Sequence, residues 1–496
     1  MDELNTKSDL PEYDAVVIGA GPAGTCAALR LLQLGYRVAI VELSDFPRFQ
    51  IGESLSPGIW NIFQYLEAEH LLSHSRYIRN IPARVIWEHQ SEKRMSASQR
   101  GPGIIVDRGR MDAELLALCR ERGADVFQPA GLKDSRFTKN KWHLEIKTKN
   151  LKHRIRAFFV FDARGRNGVQ AKNRIQTSPL SVAIWTHLPD RYFPEATLIE
   201  ALEEGWLWGS PLPNDEFRAM AFVDPDSVKS RPVPELLKSL LDKSLLFNIS
   251  SRLRLRNYFA CPVQSFRNAD SWKKNYIHLG ESAFTIDPLS SSGVEKAMRF
   301  SLQAIIAFNT IMKKGDRKIA KVFYMEKLLN AVASHMRWTR EFYSASYIKD
   351  SPFWAARRAH FYDPEWRNTT DEKKLTETLK SLDFSRPQAQ PADIPISQTL
   401  SELNEIPMQI SKELKYREMP CVVGDCLELK LAVKHPALSQ PTAYIGNIEI
   451  APLIRNLENV FTINSVIGNW TALYSHKTAA RLAVYLWSLG IFEKTH

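Results

Sequence analysis

Tyr13-Asp14-Ala15-Val16-Val17-Ile18-Gly19-Ala20-Gly21-Pro22-Ala23-Gly24 is the stretch that decides how this chain folds. A short apolar run meets glycines spaced G-x-G-x-x-G. Residues 25–34 follow with helical apolar spacing, Gly35 marks a stop, and residues 37–41 form a second apolar run ending at Glu42. Strand, glycine turn, helix and strand make one βαβ unit. Gly19 permits the tight turn, Gly21 admits a pyrophosphate to the backbone, and Gly24 lets helix pack on strand; Pro22 and Ala23 complete the turn. Free N–H groups at the helix start would receive the pyrophosphate. Glu42 would accept hydrogen bonds from ribose hydroxyls.

FAD and NAD both use this fingerprint, and the rest of the chain separates them. Phe46-Pro47-Arg48-Phe49-Gln50-Ile51-Gly52-Glu53-Ser54-Leu55-Ser56-Pro57 resembles the F-P-R-x-x-I-G-E-S-L-x-P segment of flavin-dependent halogenases and related monooxygenases. Residues 106–112, around Arg108, are similar to their V-x-R-x-x-F-D stretch, whose arginine lies beside the ribityl and phosphate groups. Phe161-Asp162-Ala163-Arg164-Gly165-Arg166 resembles their D-A-S/T-G-R turn. Residues 280–293, with Gly280, Glu281, Asp287, Pro288 and Gly293, resemble the G-D-A…D-P-x-x-S-x-G motif that closes over FAD. Glu281 replaces the usual Asp, and its extra methylene leaves a ribityl hydroxyl within expected reach. The resemblance runs from about residue 13 to 360 and implies FAD as cofactor, with Gly52, Glu53 and Ser54 among its contacts.

Halogenases of this group carry W-x-W-x-I-P between flavin and substrate. Here Trp206-Leu207-Trp208-Gly209-Ser210-Pro211 keeps both tryptophans and the proline. Residues i and i+2 of a strand share a face, so ordinary packing explains the pair equally well. Halogenases also need a lysine in a short strand, and the matching stretch, residues 76–87, has none. Its arginines stay protonated and non-nucleophilic. The resemblance therefore implies a FAD-dependent monooxygenase that hydroxylates an aromatic, indole- or tryptophan-like group. Arg79, Arg84, His187, Trp206 and Trp208 are the candidate pocket residues. Two alternatives stay open: a halogenase with displaced catalytic groups, and a reductase of the geranylgeranyl-reductase type. Flavoproteins similar to halogenases also hydroxylate tryptophan in a partner polypeptide during tryptophylquinone formation, which makes a peptide or protein substrate one option. No second G-x-G-x-x-G is visible, so electrons come from NAD(P)H or from a separate flavin reductase.

The expected architecture is α/β: a Rossmann-type FAD-binding domain over residues 1–180 with 265–330, and an inserted β-rich substrate domain over 180–265. A helical segment over 330–380, a Pro-rich linker over 384–400 and a small domain over 405–496 follow. Residues 451–493 of that last domain loosely resemble a winged-helix module.

Lys and Arg number 66 against 55 Asp and Glu, a net charge of +11. The charges are spread out; the densest clusters are Arg252, Arg254, Arg256 and Lys313, Lys314, Arg317, Lys318. This balance suits an anionic cofactor or an acidic partner and does not indicate nucleic acid. The five cysteines are scattered, so neither a disulfide framework nor a metal site is indicated. No signal peptide and no apolar run of ~18 residues is visible, so no membrane span and a cytoplasmic location are expected.

Overall fold

The computed structural model describes residues 10–248, 257–359, 396–438 and 440–495. The Arg252, Arg254 and Arg256 cluster, residues 360–380 of the expected helical segment and residues 384–395 of the expected linker lie outside the described residues.

The strand Glu12–Ile18 is buried along its second half because both faces of a parallel sheet are covered. It pairs in parallel with Val38–Val41 on one side and Lys152–Asp162 on the other. Asp125–Phe127 extends the sheet beyond Val38–Val41, and Tyr276–His278 extends it beyond Lys152–Asp162. Registers Ile18↔Val41 and Ile18↔Asp162 bring three strand ends level. Gly19, Glu42 and Asp162 therefore meet at one carboxyl edge, where α/β sheets take their ligands. The helix Pro22–Gln33 rises from that edge with Gly21 as its N-cap. Lys141–Thr148 pairs antiparallel with Lys152–Asp162 and lengthens the sheet's edge.

A second sheet has seven strands, in the order 258–263, 181–189, 216–223, 205–211, 197–202, 83–86 and 93–95. Its last two strands come from within residues 1–180, which corrects the expected boundary of the inserted domain. Ala83–Ile86 pairs in parallel with Thr197–Leu202, and a four-residue strand whose partner is so distant leaves little periodic signal. One face packs under the helix Val233–Lys243, with Leu198, Leu207, Phe217, Leu236 and Leu240 buried there. The other face carries Trp185, Trp206 and Phe222, which pack in an aromatic cluster with Trp87 and with Tyr343, Phe353 and Trp354 from neighbouring helices.

The chain divides into two compact units, residues 1–305 with 324–372 and residues 306–323 with 373–496. In the second, helices Ile450–Arg455, Ile463–Trp470 and His476–Ser488 enclose a core of Met408, Ile454, Ile463, Leu486 and Phe492. The hairpin Lys415–Val423/Cys426–Lys434 is held by residues of the 306–323 segment: Thr310 Oγ1 accepts from Leu427 N–H at 2.9 Å, and Asn309 Nδ2 donates to Asp425 O at 2.7 Å. Residues 396–400, expected as linker, belong to the helix Ile396–Leu403; their Ile, Thr and Leu spacing outweighs the preceding prolines.

Candidate active site

The glycine turn is built as its spacing requires. Gly19 has φ +101°, and a Cβ there would lie 2.4 Å from Ala163 O. A Cβ on Gly24 would lie 1.9 Å from Gly19 O, so only glycine lets the helix close on the strand. At Gly21 the nearest atom to an added Cβ is Arg48 Nη2, at 3.5 Å. The backbone at Gly21 is thus open except for one guanidinium. Pro22 and Ala23 begin the helix, whose first N–H groups face the same space.

Glu42 is buried at the end of its strand and accepts from Ala20 N–H at 2.7 Å and Ser44 N–H at 2.8 Å. Arg48 lies 3.8 Å from Glu42 and 3.7 Å from Asp112, while its buried Nε makes no hydrogen bond. Arg108, also buried, grips Asp112 through two N–H donors at 3.1 Å and donates to Ile51 O at 2.9 Å. Arg108, Asp112, Arg48 and Glu42 therefore tie the 48–53 strap to the helix Arg108–Glu121 and to the glycine turn. Asp112 was missed by sequence reasoning although it closes the motif that contains Arg108. Gly52 has φ +99°, and a Cβ there would press to 3.0 Å on Arg108 Nη1. Ser54 pairs with Ile105 and anchors the far end of the strap.

Glu53 turns away to Arg218, 2.5 Å distant and fully buried. Arg218 donates through Nε and Nη2 to His187 Nε2, at 3.1 and 2.8 Å. His187 therefore keeps its ring proton on Nδ1, which faces Glu216 at 3.6 Å. Burial and the Arg218 charge both lower the His187 pKa. Arg218 carries no local motif, and nothing in the sequence marked it.

The third wall is the turn after Tyr276–His278. Asp162 is fully buried and accepts from Arg164 and from the Tyr276 hydroxyl at 2.8 Å. Gly280 has φ +55°, and its Cβ would meet Ala23 Cβ at 2.8 Å, so the turn touches the helix start. Glu281 departs from expectation: its longer side chain carries the carboxylate out to Arg166, 3.3 Å away, and half of it is exposed. Asp287 accepts from Leu289 N–H at 3.0 Å and so caps the 3₁₀ turn that Pro288 opens. Gly293 then starts the 20-residue helix Gly293–Met312.

Trp206 and Trp208 lie on one strand and share a face. Trp206 is 3% exposed, stacks on Phe222 at 4.0 Å and donates Nε1–H to the Tyr343 hydroxyl at 3.2 Å. Its ring is enclosed by aromatic neighbours; Trp208 is half-buried beside them. Arg84 is paired with Glu92 at 2.6 Å, and Arg79 donates to Leu72 O.

The glycine-lined opening, the helix start, an uncommitted Arg48 N–H and the buried carboxylate at the second strand fit an adenine dinucleotide. This fold and this cradle define a FAD-binding oxidoreductase. A FAD-binding domain family matches residues 14–71, and the tryptophan halogenase family matches residues 105–378, more than half the chain. The chain belongs to the tryptophan halogenase family, whose members are flavin-dependent enzymes. It is 25% identical to a tryptophan 2-halogenase of Chondromyces crocatus over 69% of this chain and 70% of that one. It is 24% identical to a putative FAD-dependent oxidoreductase of Marinomonas mediterranea, LodB, over 71% and 98%. The fold matches the flavin-dependent halogenase CmlS with a TM-score of 0.72 at 22% identity, covering 98% of each chain. It also matches the peptidyl tryptophan dihydroxylase QhpG with a TM-score of 0.72 at 19% identity, covering 97% and 99%. Among the described residues no helix is long and apolar enough to cross a membrane.

Proposed function

We propose that this protein is a FAD-dependent monooxygenase that hydroxylates an aromatic, indole-like group carried by a peptide or protein. One observation carries the reading: residues 76–87 contain no lysine, and the arginines at 79 and 84 are held by Leu72 O and Glu92. No amine stands there to capture hypohalous acid. Bound FAD, once reduced, supplies the electrons that activate O₂. The chain's own residues do the rest. Gly19, Gly21, Pro22, Ala23 and Gly24 hold the pyrophosphate, Glu42 the ribose, and Arg48 and Arg108 the strap of Gly52, Glu53 and Ser54 against the flavin. Gly280, Asp287, Pro288 and Gly293 close the far side. The aromatic face around Trp206 and Trp208 excludes water and orients the substrate ring. The full-length fold match to a peptidyl tryptophan dihydroxylase supports a polypeptide substrate. Electrons come from NAD(P)H or a partner reductase.

The likeness to tryptophan 2-halogenase keeps halogenation as the second reading. The reduced holoenzyme with O₂ and a tryptophan-containing peptide, with and without bromide, separates the two by mass spectrometry. Added oxygen regardless of bromide supports hydroxylation. A bromine isotope pair on the product would replace it with halogenation.

A further inference from the structure

The seven-stranded sheet ends in the strand Tyr258–Val263, which pairs only with Ser181–Pro189 among the described residues. Exposed sheet edges are ordinarily blunted with charged side chains. This one carries none: its sequence is Tyr-Phe-Ala-Cys-Pro-Val, and Tyr258 and Phe259 are 50% and 39% exposed. Proline is tolerated in a strand where its missing N–H faces away from the ladder, so Pro262 sets the sense of the pairing. Phe259 and Cys261 turn their backbone groups inward to Trp185 and Ala183, while Tyr258, Ala260 and Pro262 turn theirs outward. Arg166 donates to the outward Pro262 O at 2.8 Å. Among the described residues no hydrogen bond reaches the outward N–H and C=O of Tyr258 and Ala260.

An aromatic platform stands beside this open edge. Phe49, in the strap, is 60% exposed, yet its ring is held: it stacks on Phe259 at 5.9 Å and meets His187 edge-on at 6.1 Å. The Arg218 guanidinium lies 5.6 Å from its centre. Phe259 in turn stacks on Trp185 at 5.5 Å. Exposed aromatic surface that is clustered rather than single marks a binding surface, and rings fixed beforehand lose little freedom when a ligand arrives. Residues directly opposite each other in paired strands have Cβ atoms about 4.5–5.5 Å apart on one face. A side chain set opposite Phe259 on an added strand therefore falls on the Phe259–Phe49 platform. Phe49 belongs to the strap of the flavin cradle, and Trp185 shares its sheet face with Trp206, so the platform is continuous with the candidate active site. A small free ring has no use for a row of backbone donors and acceptors. An extended polypeptide uses both features.

We propose that the strand Tyr258–Val263 docks the polypeptide substrate by strand addition, with an aromatic side chain of that polypeptide seated on Phe49 and Phe259. The inference rests on the polypeptide-substrate reading above and adds where such a chain binds.

A short fluorescent peptide, alternating threonine and valine around one tryptophan, is titrated with the oxidised holoenzyme and followed by anisotropy. Ala260→Pro removes one outward N–H, no inward one and no ring. Binding is expected to weaken by about tenfold or more in Ala260→Pro and in Phe259→Ala, the scale of one lost hydrogen bond or stacked ring. Near-ultraviolet circular dichroism and retained flavin colour check both variants. The same loss is expected for the peptide methylated on alternate backbone nitrogens, a comparison that leaves the protein untouched. Equal binding of the plain and methylated peptides, or binding of neither, overturns the proposal. So does a dimer in sedimentation that Ala260→Pro disperses, which would assign the edge to a second copy of the chain. Oxidised flavin turns nothing over, so docking stands even where the product proves to be brominated. Hydroxylation of the peptide at an unchanged KM in Ala260→Pro would sink the docking alone.

Discussion

Single atoms decide much of this site. Gly24 is the sharpest case, since a methyl there would lie 1.9 Å from Gly19 O and backbone cannot give way. Gly24→Ala is expected to destabilise the chain by about 1–3 kcal/mol or more and to abolish flavin binding, read by the urea midpoint and by retained yellow colour after desalting. Arg48 is different: its side chain is 28% exposed and holds no short bond, so Arg48→Ala should fold normally. If its guanidinium meets the dinucleotide, FAD affinity should fall about 10–100-fold, the worth of a charged hydrogen bond. Unchanged affinity in a titration would remove Arg48 from the cofactor site. His335 makes the residue-scale case for pH. Its ordinary pKa is 6.5 and burial with Lys296 pushes it down to about 3. Between those values the unfolded chain binds a proton that the folded chain refuses, so stability declines as pH falls below 6.5 and is flat above. Urea midpoints at pH 7.5 and 5 should therefore diverge more in wild type than in His335→Leu.

At the scale of elements, the strap of residues 46–57 and the helix Arg108–Glu121 act as one unit because Asp112 sits between two arginines. Asp112→Asn leaves the shape and removes the charge that both guanidiniums share. Weaker FAD binding and a lower unfolding midpoint are expected together; loss of neither would mean that the strap is held by backbone pairing alone. The βαβ unit was readable because glycine spacing, apolar runs and a terminal acid lie within thirty residues. The strand Ala83–Ile86 was not, and neither was the Glu53–Arg218–His187 chain. The pairing of that strand with residues 197–202 and the Glu53–Arg218 ion pair each join residues more than a hundred positions apart, and no local pattern records such a pairing. Trp206 shows the intermediate case: the motif flagged the residue, and only the structure shows its ring stacked on Phe222 with its N–H given to Tyr343. Trp206→Phe keeps the stack and loses that bond. A stability loss of about 1 kcal/mol is expected, with FAD binding retained.

The whole molecule has two compact units, each with its own apolar core, and one chain crosses between them three times. The helix Gly293–Met312 begins beside the flavin motif of the first unit and ends in the second, a division that its continuous apolar periodicity concealed. Every proposed cofactor contact, from Gly19 to Gly293, falls in the first unit. A ligand stabilises only the folded state that binds it, by about 2.7 kcal/mol at a hundredfold excess over Kd. Two cores of such different size need not melt together, and a multi-unit chain commonly departs from two-state behaviour. Scanning calorimetry of the full chain should then resolve two transitions, of which FAD raises the larger, first-unit one and leaves the smaller in place. A single transition that moves as a whole with FAD would show that the units unfold cooperatively, with the shared helix transmitting flavin binding into residues 396–495.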